Sequence, residues 1–204
     1  MSKTEAQIVT RIQYMLSDTS TASYSTAEIH LAMYDALFTM AEYAPNIVLG
    51  TVTTISGTAE VDVSGQTNLL YGTDNRRSFQ YVEFSVDKEP RKYRNFSVTN
   101  SRLVMDIDFA PSAGEDVRLY MKKPHGLDGG TSTLSEQLED VIVNMVAGNV
   151  AANHAIGAIN KSNITGNKTY IDFMTWGERK STKALRDLQR MRKAQIATQY
   201  PREV

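Results

Sequence analysis

The chain contains no cysteine, so disulfide scaffolds, thiolate metal sites, cysteine nucleophiles and iron–sulfur clusters are excluded together. Histidine is scarce as well: His30, His125 and His154 are the only three, and none stands in a metal-ligand spacing such as His-x-x-x-His. The Walker phosphate cradle, the Gly-x-Gly-x-x-Gly dinucleotide fingerprint and the Gly-x-Ser-x-Gly nucleophile elbow are all missing. Asp106-x-Asp108 would bring two carboxylates to one side of a strand, but a calcium site needs more oxygen ligands than this run offers. Alternation with Met105, Ile107 and Phe109 explains the pair as a solvated face. No cofactor, metal or catalytic centre is called for, and the expected role is not enzymatic.

Long apolar runs are also missing. The best candidate for a membrane span, residues 141–159, is interrupted by Asn144, Asn149, Asn153 and His154, each costly in hydrocarbon, so it reads as a buried helix. The first seven residues are polar and lack the charged-then-apolar order of a secretory signal. A protein made and used in a cytoplasm, without membrane contact, is the expectation.

The 204 residues are 41% hydrophobic and 22% charged, enough for a packed core in one or two domains. The charge is unevenly placed. Residues 161–204 hold ten basic and four acidic side chains, while the rest hold twelve basic and nineteen acidic. An acidic body with a basic C-terminal arm favours contact between unlike surfaces.

Periodicity divides the chain into three stretches. Ser2-x-x-Glu5 and Ser25-x-x-Glu28 carry capping-box spacing. The first precedes Ile8, Val9, Ile12, Met15 and Leu16, and the second precedes Ile29, Met33, Ala36, Leu37, Met40 and Ala44, all at helical intervals. Pro45 ends the second helix. From Ile47 the period falls to two, with strands expected at 47–49, 51–55, 59–63, 79–86, 93–98, 103–109 and 117–121, parted by turn residues such as Ser64-Gly65 and Thr99-Asn100. Thr133-x-x-Glu136 then opens a third helix, whose Val141, Met145, Gly148, Ala152, Ala155 and Ile159 share one face. After a polar stretch a fourth helix runs from about Tyr170 toward Thr198.

The fold expected from this order is α+β: a bundle of two N-terminal and two C-terminal helices with an inserted antiparallel β-sandwich or barrel. The domains would be a helical one of 1–45 with 131–198, an inserted β domain of 46–130, and a C-terminal tail of 199–204.

The last helix carries the one constellation above background. Arg179, Lys183, Arg186, Arg190 and Lys193 follow at steps of four, three, four and three, which puts them on a stripe about 80° wide. Ala184, Leu185, Leu188, Met191 and Ile196 occupy the other side. A solvated face is the ordinary explanation of such a stripe, but five like charges at these steps repel one another, so an acidic partner is expected, with nucleic acid as an alternative. Tyr170, Phe173, Met174 and Trp176 form an apolar patch at the start of that helix, read as core or as a subunit anchor. Tyr200 adds a further contact candidate beyond it.

The order of elements, with Tyr24-Ser25-Thr26-Ala27-Glu28-Ile29 in the N-terminal helices and Leu134-Ser-Glu-Gln-Leu138-Glu-Asp-Val-Ile142 after the β part, resembles the head-to-tail adaptor (connector) proteins of tailed bacteriophages. The resemblance implies a virion structural protein of the neck, between capsid and tail: twelve copies in a ring beneath the portal protein, meeting tail or neck proteins. Duplex DNA would pass through the lumen without sequence-specific binding. It also implies that the basic stripe, with Trp176 and Tyr200, meets the portal or a neighbouring subunit. Two other readings stay open: a DNA-binding regulator using the basic helix, and a carbohydrate-binding β module on a helical stalk.

Overall fold

The structure, a computed structural model, describes residues 3–20, 23–55, 57–86, 91–127, 132–161 and 167–199, and the side chains of 158–161, 167–170 and 193–199 fall outside that description. The chain is α+β, with helices at both ends and strands in the middle. It divides into two compact units, one of 1–44 with 125–204 and one of 45–124.

In the helical unit, α1 (Glu5–Met15) and α2 (Thr26–Tyr43) precede α3 (Glu136–Lys161) and α4 (Asn167–Gln199). Both N-terminal helices start on capping boxes, which satisfy amide groups that the first turn leaves unpaired. For α2 the box is Ser25 with Glu28, as expected. For α1 it is Thr4 with Gln7, rather than Ser2 with Glu5: the helix begins later, and Glu5 is its first residue. The start of α3 shifts in the same sense. Leu138 N–H donates to Ser135 Oγ at 3.4 Å, while Thr133 turns its hydroxyl toward His125 and Gly126.

One core joins the two chain ends. Ile8 and Ile12 of α1, Ile29, Met33 and Met40 of α2, Ile142 and Val146 of α3, and Ala184 and Leu188 of α4 are all fully or almost fully buried in it. The N-terminus is also tied across by polar bonds: Lys3 N–H donates to Glu139 Oε1 (2.9 Å), and Lys3 Nζ lies 3.0 Å from Oε2. Helices α3 and α4 pack backbone to backbone at Gly148 and Gly177. A Cβ at Gly148 would lie 2.6 Å from the Gly177 carbonyl oxygen, and one at Gly177 would lie 2.5 Å from that of Gly148.

The β unit is a sandwich of two antiparallel three-stranded sheets. Their strands are β1 (Asn46–Thr53), β2 (Glu60–Asp62), β3 (Phe79–Phe84), β4 (Phe96–Thr99), β5 (Arg102–Met105) and β6 (Asp116–Lys123), ordered β1-β6-β3 in one sheet and β2-β5-β4 in the other. Val61, Leu103 and Met105 from one sheet meet Phe79, Val82, Phe84, Val117 and Leu119 from the other in a common core. The expected strands 47–49 and 51–55 are one strand, because β6 pairs with it unbroken through Gly50. The expected strand 93–98 is split between the sheets. Arg94 N–H donates to Val82 O of β3, whereas Phe96–Thr99 pairs with β5, so the chain changes sheet near Asn95. The β4–β5 turn is closed by Asn100 and Ser101, both at positive φ, the backbone of a tight type I′ hairpin. Strand β5 ends at Met105, and Asp106 and Asp108 lie beyond it on the surface.

Candidate docking surfaces

The amphipathic character of α4 fixes what it presents. Ala184 and Leu188 are buried in the helical core, Leu185 and Met191 pack at its margin, and Gly177 is held against α3. That leaves Arg179, Lys183, Arg186 and Arg190 exposed on the opposite side. Arg190 reaches Asp187 at 3.6 Å with its side chain 81% exposed, a geometry that contributes little in water. Among the described residues Arg179, Lys183 and Arg186 have no ion-pair partner. Lys193 and Tyr200, expected to continue the surface, fall outside the described residues.

Trp176 is half-buried at the edge of the helical core, with Lys180 Nζ 5.5 Å from its ring centroid. It does not stand alone. With Met15, Leu16 and Ser17 from the end of α1, Ala151 of α3, and Asp172 and Phe173, it lines a mainly apolar groove of about 420 Å³. Phe173 and Ile171 are about half exposed beside it. The apolar patch expected at the start of α4 is therefore partly open to solvent, and the side chain of Tyr170 lies outside the description.

A second surface lies on α2, where sequence reasoning had identified only the core stripe. Leu31, Tyr34 and Phe38 are 67%, 58% and 56% exposed, and at 100° per residue they share a strip about 60° wide. Along one edge of this strip run Glu28, Asp35 and Glu42, all exposed. The signal was available as a second i, i+3, i+7 apolar series, out of phase with Ile29, Met33, Ala36 and Met40. Next to the strip, Glu28, Asp35, Asn153 and His154 line a cleft of about 650 Å³ between α2 and α3. The carboxyl of Glu28 titrates below its usual range, mainly because the Ser25 backbone amide and then its hydroxyl donate to it, with a lesser contribution from His154.

His125, Glu139 and Glu83 are buried, and each has polar partners within the fold. His125 Nε2–H donates to Ala44 O (2.7 Å), which leaves Nδ1 to accept from the Thr133 hydroxyl (3.0 Å). This neutral ring closes the helical unit where the chain leaves and re-enters it, and burial holds its pKa below the ordinary value against the backbone groups of Ala44 and Thr133, which favour the charged ring. Burial alone would push Glu139 up, but the Lys3 amide and ammonium, with Arg11 beyond, outweigh it and hold the carboxyl low. In the β unit, Glu83 accepts from the Tyr120 hydroxyl (3.0 Å), with Arg118 at 3.8 Å. Burial and then that bond push the Tyr120 phenol up. Tyr81, Tyr93 and Tyr120 cluster around this carboxylate with their rings tilted or edge-on, so they present no flat platform.

Among the described residues no group of three or more His, Cys, Asp or Glu side chains could hold a metal ion, and no described helix is long and apolar enough to cross a membrane. No protein-family model and no curated protein matches the chain.

Proposed function

We propose that the protein is a non-enzymatic virion component, a head-to-tail adaptor that docks beneath the portal as a ring, extends the DNA channel and provides the platform for tail attachment. The observation that carries this reading is the cationic face of α4. Its other face is locked into a core made from both chain ends, so Arg179, Lys183, Arg186 and Arg190 are displayed on a rigid element, with Asp140 and Asp187 beside Lys183 and Arg190 only partly offsetting their mutual repulsion. Such a face is stabilised by carboxylates brought from outside. The helical unit then serves as the docking body, and the sandwich of residues 45–124 is the part offered to tail or neck proteins.

The reading places the protein in the neck of the particle after synthesis in a host cytoplasm. Its test is the triple variant K183E/R186E/R190E mixed with purified portal. Loss of docking with unchanged helical content is expected; docking as tight as that of the native chain would defeat the reading. If the stripe instead met DNA phosphates, as in a regulator, filter binding would fall with salt along a log–log slope of about −3 to −4 for four cations. The adaptor reading expects no measurable retention of duplex at physiological salt.

A further inference from the structure

The two surfaces of the helical unit are complementary in three respects. One is apolar relief: Leu31, Tyr34 and Phe38 project from α2, while the groove lined by Met15, Leu16, Phe173 and Trp176 is concave and mostly apolar. The next is charge: the projecting strip is edged by carboxylates, and α4 continues from the groove, past Asp172 at its rim, into the row of Arg179, Lys183, Arg186 and Arg190, where the cations outnumber that single carboxylate. The last is spacing. Glu28, Asp35 and Glu42 recur every seven residues, a rise of about 10.5 Å. On α4 the alternating steps of four and three give the same interval between Arg179 and Arg186 and between Lys183 and Arg190.

We infer that the α2 strip of one copy of this chain seats on the groove and cationic row of a second copy. The contact is heterologous. The two surfaces share no residue, and the groove includes Ala151 whereas the α2 cleft is lined by Asn149, Val150, Asn153 and His154 around α3. A symmetric pairing of two α2 strips would set the acidic rows against each other and leave the groove empty. A repeated heterologous contact builds a ring when its rotation closes and a filament when it does not. The inference deepens the ring reading above and rests on it, with the cationic row shared between the neighbouring copy and the portal at different points along its length.

The absence of cysteine makes the test direct. Leu31→Cys and Phe173→Cys are introduced singly and together into the full chain, and each is oxidised at rising concentration up to its solubility limit. The double variant is expected to give a ladder of covalent oligomers, an equimolar mixture of the two single variants is expected to give a dimer, and neither single variant alone is expected to cross-link. Adding E28K/D35K/E42K to the double variant removes the ladder, and combining that chain with one carrying R179E/K183E/R186E restores cross-linking between the two. A Leu31→Cys homodimer, or the absence of a ladder at every concentration, overturns the inference. Portal docking of the native chain is measured separately. A ladder without docking sinks the adaptor reading and leaves this contact standing, whereas docking without a ladder sinks this contact alone.

Discussion

Replacing Gly148 by alanine should loosen the helical unit, although alanine is the better helix former. The added Cβ would lie 2.5 Å from Ser181 Oγ, 2.6 Å from the Gly177 carbonyl oxygen and 2.9 Å from Ser181 N. Two of these neighbours are backbone atoms that cannot rotate aside. The third already donates to Asn149 Oδ1 at 2.7 Å, so moving it breaks that bond. Relief requires α3 and α4 to part by close to an ångström, where Ala184 and Leu188 of α4 are buried in the core. Overpacking costs about 1–3 kcal/mol, about 2–3 kcal/mol where, as here, backbone atoms block the way, and the gain in helix propensity returns about 1 kcal/mol. The net loss of roughly 1–2 kcal/mol corresponds to a fall in Tm of about 3–6 °C. Gly157→Ala on the same helix is the control, because nothing lies within 4 Å of its Cβ position; propensity alone should raise Tm there by about 2–4 °C. Calorimetry of the helical-unit transition in both variants tests the sign. A Gly148→Ala protein as stable as the native chain would refute the close crossing.

Tyr120→Phe removes the hydroxyl that donates to buried Glu83 and should destabilise the β unit by about 1–3 kcal/mol, read as a lower urea midpoint for that unit with the helical transition unmoved. Leu188→Ala, at a fully buried position, should cost the helical unit about 2–5 kcal/mol, measured in the same way. The depressed pKa of His125 makes its contribution pH-dependent. Above the ordinary value of 6.5 both folded and unfolded chains carry it neutral; as pH falls below that, the unfolded chain takes up the proton first, and stability is lost down to the lower folded value. Thermal unfolding of the native chain and of His125→Gln between pH 7.5 and pH 5 should show a steeper acid loss for the native chain, and parallel curves would contradict it.

Those parts of the fold governed by local rules were legible in the sequence. Ser25 with Glu28, the helical repeat of Ile29, Met33 and Met40, and the stop at Pro45 gave α2 nearly residue by residue, since caps and periodicity act over one or two turns. The order of helices, strands and helices followed from the change of period at Ile47. Thr4 was missed because Ser2 offered equivalent capping spacing two residues earlier. Gly50 looked like a break between strands, yet β6 pairs straight across it. The move from one sheet to the other near Asn95 left no local trace, because tertiary pairing alone decides it. The basic stripe was visible as a repeat, and its four members among the described side chains, Arg179, Lys183, Arg186 and Arg190, stand exposed. The α2 strip was hidden by the stronger core pattern sharing the same helix: one helix carried two apolar series, and only burial revealed which of them the fold had left open.

The most direct measurement is the mass of purified portal in solution, alone and after mixing with an excess of the chain. The account predicts a discrete heavier species, whose added mass corresponds to a closed ring with one copy of the chain per portal subunit, and predicts that the charge-reversed K183E/R186E/R190E chain fails to form it. An unchanged portal mass with the native chain, or a complex equally well formed by the reversed chain, would contradict it.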